Sequence, residues 1–463
     1  MKPTILFVQR VTAAVLETIP VAKRIQQDGI FSVAYLVDSP TAAAQVPLLL
    51  VAGITALHPS GREYTEAPQQ SSEAKSKITP KNNNMKERVF ALIPSFIKEI
   101  LNGRSRLKRA RSLLSSNHVA AIAISGDRLL GWEITMIKAG HDLGIKSVIT
   151  PYALNYRDSI AENRLRSRNF ETDFRVKGIH KRFIALLFPQ WAHTYKSMRL
   201  FFHPVTPSLA AWFLGTMSKN PWISGGGHAD MYAIESGLAK GTALKEGVSE
   251  EKVVVTGKPS VDDLADLIHS ADLEELRKDY GIPEGNKVVL CAVPQLGEHG
   301  LLPWDKHMQE TEFLFEQMSA LPDTSVLLSL HPKMDPENYK KLAAQYGAQI
   351  PDARVYSLLP LCHVFVATAS SIVVQAIAIS KPSVVVDFSK LDPEDFYVGS
   401  PGVTTLWDRE KLYPTLEKLL TDDVFYKQQQ AAQGQEGDKW ALLDGKCTER
   451  VTEEIYKLTE GVF

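Results

Sequence analysis

The 463-residue sequence has few cysteines, almost no net charge and no long apolar run free of helix breakers. Its three cysteines, Cys291, Cys362 and Cys447, are odd in number and far apart, with no Cys-x-x-Cys pair. That excludes a disulfide scaffold and a thiolate metal cluster, and it points to a reducing compartment with the thiols as core residues. A formal net charge of −1 excludes a general nucleic-acid binder and leaves room only for a local basic patch. The uncharged stretches 39–61 and 200–218 are interrupted by Pro40, Pro47 and Pro59, and by His203, Pro204 and Pro207. A spanning helix needs about 20 mostly apolar residues, so both stretches read as buried loops and short helices. The second is also suited to touch a membrane surface. The apolar run 5–8 reaches Arg10 too soon for a signal peptide and fits a first buried strand.

What is present is an ordinary globular composition, with 44% hydrophobic and 23% charged residues. The length predicts two domains, because a single core rarely grows beyond about 250–300 residues. The first third alternates: strand 5–8, helix 15–27 stopped at Gly29, strand 32–37, helix 85–114, strand 120–125, helix 132–143, strand 147–150. Residues 59–84 are polar and read as a surface loop or insertion with little to bury. The rhythm breaks over 155–222, read as a helical insertion. Within it, 164–199 holds nine Lys/Arg against two acids, interleaved with aromatic residues. That mixture suits lipid head groups, a polyanionic acceptor, a partner subunit or a solvated basic face. Alternation returns with strands 231–234 and 253–256. A second series follows, with strands 287–292, 325–329, 364–367 and 383–386. The expected organisation is an N-terminal domain over 1–257, a C-terminal domain over 258–440, and a last segment, 441–463, crossing back to the first. Such alternation predicts parallel sheets covered on both faces, which bind ligands outside the carboxyl ends of their strands.

Candidate chemistry follows those strand ends. Ser370 and Ser371 stand between strand 364–367 and an apolar helix, where free N–H groups favour a phosphate or the serines simply cap. His331 and Lys333 follow strand 325–329 and suit a phosphate. Asp127 follows strand 120–125, either as a general base or sugar-hydroxyl holder, or as the cap of the next helix. His299 follows strand 287–292, as an acid/base or as a plain loop residue. Residues 224–230, with three consecutive glycines, place His228 and Asp230 beside a backbone-exposing turn that is also a possible hinge. No Gly-x-Gly-x-x-Gly leads from a strand into a helix, so no dinucleotide site is expected. No metal is expected either, since no acidic pair at a strand end has ligand spacing.

The order of these segments resembles UDP-N-acetylglucosamine 2-epimerases. Thr256-Gly257-Lys258-Pro259-Ser260-Val261-Asp262 is similar to their Thr-Gly-Asn-x-Val-x-Asp crossing, and Ser125-Gly126-Asp127 to their His-Gly-Asp. The stretch 369–376 aligns with their Ser-Gly-Gly-x-x-Glu-Glu-Ala, with Gln375 where that family's ribose-holding Glu stands, and Lys381-Pro382 matches their Gly-Lys-Pro. His331-Pro332 with Ser370-Ser371 resembles instead the His-Pro and Ser-Ser pair of bacterial transferases that use CMP- or CDP-linked donors. The resemblance implies a GT-B fold: α/β, two Rossmann-like domains facing a cleft, with an insertion in the first. It implies a glycosyltransferase of bacterial surface-glycan synthesis, with a UDP-sugar epimerase or a non-catalytic sugar-nucleotide scaffold as alternatives. His331, Lys333, Ser370, Ser371, Gln375, Gly257 and Lys258 are then expected on a CMP-, CDP- or UDP-linked donor. Asp127, His299, His228 and Asp230 are expected in catalysis on a glycan or lipid-linked acceptor. The expected partners include a membrane surface met through 164–199, at the inner face of the plasma membrane of a cytoplasmic protein. No nucleic acid and no resident cofactor are expected.

Overall fold

The computed structural model describes residues 2–38, 44–66, 94–152, 157–270, 272–331, 334–368, 370–391 and 395–460. Most of the polar stretch 59–84, the start of the expected helix 85–114, and Lys333 lie outside the described residues. The chain divides into two compact units. The first comprises 1–235, 239–259 and 446–463, and the second 236–238 and 260–445.

The first unit holds strands β1 (Thr4–Val8), β2 (Ser32–Leu36), β3 (Thr55–Leu57), β4 (Val119–Ile124) and β5 (Lys146–Ile149). A hairpin, β6 (Ala192–Tyr195) and β7 (Met198–Phe201), precedes β8 (Met231–Ile234) and β9 (Val253–Val255). Seven of these form one sheet in the order β3-β2-β1-β4-β5-β8-β9, with every pairing parallel. Successive side chains point to opposite faces. Leu6, Val8, Ile122 and Ile124 therefore enter one core, and Ile5, Phe7, Ala121 and Ala123 the other. Burial on both faces is why these strands read as unbroken apolar runs.

The helix Cys447–Thr459 completes the second of these cores. Val451, Ile455 and Leu458 join Val15, Val21 and Ile25 of the helix Thr12–Asp28. Around them, Arg450 Nε donates to the Thr256 carbonyl at 2.8 Å, and Lys258 Nζ pairs with Glu17 at 3.1 Å. Gly257 has φ 81°, and a Cβ there would lie 2.3 Å from Cys447 Sγ. Only glycine satisfies both conditions.

The insertion is not wholly helical, contrary to the expectation from its sequence. The helices Arg157–Leu165, Ile179–Leu187 and Val205–Phe213 enclose the antiparallel hairpin β6–β7. Its two-residue turn, Lys196-Ser197, has positive φ at both positions (45° and 62°), the geometry that matches strand twist. Neither residue is glycine or asparagine, so the usual turn signal is missing.

The second unit holds β10 (Lys287–Ala292), β11 (Thr324–Ser329), β12 (Val364–Ala367), β13 (Ser383–Val386) and β14 (Val403–Leu406). They form a parallel sheet in the order β11-β10-β12-β13-β14. Val289, Cys291, Val364 and Val366 face one core, and Val288, Leu290, Phe365 and Ala367 the other. All three cysteines are buried and unpaired, and burial pushes the Cys291 and Cys362 thiols up to about 12.

Candidate functional site

In the second unit the carboxyl ends of β10, β11 and β12 bring Glu298, His331 and Ser370 to one sheet edge. His331 is exposed, and its carbonyl accepts from Met334 N at 2.8 Å. Ser371 occupies the N-cap of the helix Ile372–Ala378, yet its side chain makes no capping bond. The Ser370 carbonyl accepts from Tyr397 Oη at 2.7 Å and from Val373 N at 3.1 Å, which fixes the turn. Side-chain capping therefore does not account for Ser371. The helix has only seven residues, so a bound phosphate must draw on the hydroxyls and His331 rather than on a helix dipole. Gln375 is 7% exposed, and its Oε1 is buried with no hydrogen-bond partner. A buried acceptor left unpaired costs about 1–3 kcal/mol, and a ligand hydroxyl would satisfy it.

His299 lies exposed on its loop. The preceding Glu298 is the residue that turns inward. It accepts from Tyr339 Oη, and the same oxygen lies 2.8 Å from His307 Nε2. His307 is buried, and burial holds its imidazole below its ordinary range. Burial and the Glu298 carboxylate push the Tyr339 phenol up. This cluster joins the β10 loop to the helices Trp304–Ser319 and Glu337–Gln345.

In the first unit Asp127, expected as a base or as a helix cap, lies against the glycine turn 224–230. Asp127 exposes no surface. Its carboxylate accepts from Gly225 N at 3.1 Å and Gly227 N at 2.8 Å, and Lys252 Nζ lies 3.5 Å away. Lys252 also donates to the carbonyls of Gly225 and Gly227. Asp127 thus fastens the glycine turn, and it caps no helix. His228 Nε2 donates to the Met217 carbonyl at 2.9 Å, and burial lowers its imidazole. Asp230 accepts from Ser147 N and Oγ at 2.8 and 3.0 Å and from His141, so it ties the start of β8 to β5. A cavity of about 260 Å³ lies between this turn and the helix Trp132–Asp142, lined by Asp127, Lys138, His141 and His228 among others. Its polar groups are engaged: Lys138 with Asp142 and His141 with Asp230. Gly257 and Lys258 belong to this unit, where Gly257 lies against Cys447 of the returning helix and Lys258 pairs with Glu17 of the helix Thr12–Asp28.

The sequence pattern did not single out Glu133, a second buried acid near the end of β4. It stands in the first turn of the helix Trp132–Asp142 and is 2% exposed. Its Oε1 accepts from Ser125 N at 3.1 Å and from the Ser125 hydroxyl. Burial pushes its carboxyl up to about 7, against the hydrogen bonds of Ser125 and the charge of Arg10. A carboxyl poised near neutral pH at a strand's carboxyl end suits general-base work. The available signal was an acid between apolar neighbours, Trp132 and Ile134, at a helix start.

The insertion also presents an apolar face. Ile179 is 89% exposed, Leu186 74%, and Phe183, Leu187, Trp212 and Phe213 between 54% and 57%. The basic helix Ser95–Ser116 packs beside the helix Val205–Phe213, with the Arg104 guanidinium 5.9 Å from the Phe213 ring. Among the described residues, no helix is long and apolar enough to cross a membrane.

Residues 244–457 match the family of CDP-glycerol:poly(glycerophosphate) glycerophosphotransferases. That stretch contains His331, Ser370, Ser371 and Gln375. The match supports a transferase. Two solved structures show that the fold is of the GT-B type. One is the UDP-GlcNAc 2-epimerase of Neisseria meningitidis bound to UDP-GlcNAc, with 12% identity and a TM-score of 0.54, covering 98% of this chain and 100% of that one. The other is the kitacinnamycin glycotransferase, with 15% identity and a TM-score of 0.54, covering 99% of each chain. No curated protein sequence matches the chain. The likeness to epimerases is one of fold alone.

Proposed function

We propose that the protein is a transferase that moves a sugar from a nucleotide-activated donor to a glycan or lipid-linked acceptor during cell-surface polymer synthesis. The observation that carries this is the family match over 244–457, which spans the exposed His331, Ser370 with the non-capping Ser371, and the orphaned Gln375 acceptor. In the second unit, His331 and the two serines take the donor's phosphate and stabilise it as it departs, while Gln375 accepts from a donor hydroxyl. In the first unit, Glu133 takes the proton of the attacking acceptor hydroxyl. The family description names a CDP-linked donor, and a CDP-linked donor is the first expectation here. The exposed Ile179, Phe183, Leu186, Trp212 and Phe213, flanked by the basic helix Ser95–Ser116, suit contact with an anionic membrane surface, where a lipid-linked acceptor resides.

The same description favours a second reading, in which the transferred group is a polyol phosphate rather than a sugar. The released nucleotide separates the two. With a CDP-linked donor, sugar transfer cleaves the bond beyond the second phosphate and releases CDP. Phosphate-group transfer cleaves the diphosphate and releases CMP. The test incubates the full chain with CDP-, CMP- and UDP-linked donors and a lipid extract as acceptor source, and resolves the nucleotide products. Acceptor-dependent release is expected with a cytidine donor. Conversion of a UDP-sugar without any acceptor would replace this reading with the epimerase one.

A further inference from the structure

Ser125 stands where the strand order of the first sheet reverses. The chain runs outward from β1 through β2 to β3, then returns to β4 on the other side of β1. Open parallel sheets take ligands outside the carboxyl ends of the two strands that flank such a reversal. Here those ends lead into Gln9 and Arg10 after β1, and into Ser125 and Gly126 after β4. A Cβ on Gly126 would meet nothing within 4 Å, so the edge is open beside Ser125.

One hydrogen-bond chain crosses this point. Arg10 N donates to Ser125 Oγ at 3.4 Å, and the Ser125 hydroxyl donates to Glu133 Oε1. A serine hydroxyl has one hydrogen, and the Arg10 N–H can only donate. That hydrogen is therefore directed at the carboxylate. Ser125 N donates to the same Oε1 at 3.1 Å. Both bonds converge on one carboxylate oxygen and leave Oε2 as the atom that gains or loses the proton.

The other charges around this carboxyl are independent of the hydroxyl. Burial raises it to about 7, the Ser125 bonds and Arg10 act the other way, and Asp38 after β2 adds to the rise. Asp127 is held by Gly225 N, Gly227 N and Lys252. Arg128 bears on His203, Tyr232 and Glu246. Farther along the helix Trp132–Asp142, Arg111 and Lys138 pair with Asp142, and His141 with Asp230. Removing the Ser125 hydroxyl leaves all of these in place. It takes away one bond that favours the ionised carboxyl over the protonated one.

We propose that Ser125 is a positioning residue: its hydroxyl, aimed by the Arg10 N–H, holds Glu133 Oε1 so that Oε2 takes the acceptor's proton. The source of that proton rests on the transferase reading, whereas the hydroxyl's hold on Glu133 does not.

The test compares wild type, Ser125→Ala, Ser125→Cys, Ser125→Thr, Glu133→Gln and the double variant Ser125→Ala/Glu133→Gln, all as full chains. Turnover is followed from pH 5.5 to 9.5 as lipid-extract-dependent nucleotide release from the CDP-, CMP- or UDP-linked donor that wild type uses. Wild-type turnover should rise with pH through about 7, because Glu133 takes a proton only when ionised. In Ser125→Ala the rise should move up by about one pH unit, as loss of a hydrogen bond to a charged group does. Turnover then falls about tenfold near pH 6 and largely recovers by pH 9. Ser125→Thr keeps the hydroxyl and the wild-type profile, and Ser125→Cys, a weaker donor, falls between. A merely structural role would lower turnover by one factor at every pH. That result, or an unmoved profile, would overturn the proposal.

A second readout needs no substrate. The raised carboxyl contributes stability that is lost as pH rises through its folded value. The fall in urea midpoint between pH 5 and 9 should be greater in Ser125→Ala than in wild type. Glu133→Gln and the double variant should not differ in that fall. This stability pattern without turnover of any donor by wild type would keep the hold of Ser125 on Glu133 and remove the transferase reading. Wild-type turnover with an equal fall in wild type and Ser125→Ala would do the reverse.

Discussion

Glu133 Oε1 accepts from both the backbone N–H and the hydroxyl of Ser125, two residues before the buried Asp127. The bond joins the end of β4 to the first turn of the helix Trp132–Asp142, and it holds a carboxyl at the edge where parallel sheets bind ligands. Because burial raises this carboxyl to about 7, the folded state binds its proton more tightly than the unfolded chain does. The stability so contributed is full below about 4.5 and is lost as pH rises through 7. Glu133→Gln keeps an acceptor for Ser125 and removes the buried charge. It should raise unfolding free energy above pH 7 by an amount of the order of 2–3 kcal/mol, measured by urea denaturation at pH 5 and 8. The same variant should lose about a hundredfold or more in turnover.

Asp127 predicts the opposite pattern. Removing its carboxylate leaves Lys252 beside two backbone carbonyls and two N–H groups without their acceptor. Asp127→Ala should destabilise the protein by about 3–5 kcal/mol, as breaking a buried pair does. Denaturant midpoints check this. An unchanged midpoint with abolished turnover would return Asp127 to catalysis.

Gly257 and Cys447 are coupled by close approach. Gly257→Ala meets both the positive φ and the Sγ at 2.3 Å, and should cost more than about 1 kcal/mol. Cys447→Ala removes that sulfur. A double-mutant cycle should show part of the loss recovered, with the remainder due to backbone strain.

Phe183→Glu and Leu186→Glu alter side chains already in water, so thermal stability should change little. Co-sedimentation with vesicles containing anionic lipid should fall severalfold, and less so at high salt. Equal binding by variant and wild type would show that this face does not meet the membrane.

Much of the fold was legible because parallel strands buried on both faces leave continuous apolar runs. Residues 231–234, 287–292, 364–367 and 383–386 read as strands and are strands. Two edge strands were not read: β3 follows the proline-interrupted stretch of uncharged residues, and β14, Val-Thr-Thr-Leu, is only partly buried, so neither stands out as an apolar run. The hairpin β6–β7 escaped because its turn, Lys196-Ser197, lacks glycine and asparagine. At the site, strand-end position brought out His331 and Ser370. It could not separate Asp127 from Glu133, because which acid is locked depends on Gly225, Gly227 and Lys252, about a hundred residues away.

The donor site stands or falls with phosphate binding by His331 and the Ser370-Ser371 pair of the second unit. The decisive measurement is the thermal stability of the full chain against CMP, CDP, UDP, GDP and dTDP, run beside His331→Ala and Ser371→Ala. A ligand at about 100 times its dissociation constant adds about 2.7 kcal/mol. A clear rise with a cytidine nucleotide is expected in the wild type, lost or much reduced in both variants. No rise with any nucleotide, or a rise that both variants keep in full, would contradict the assignment.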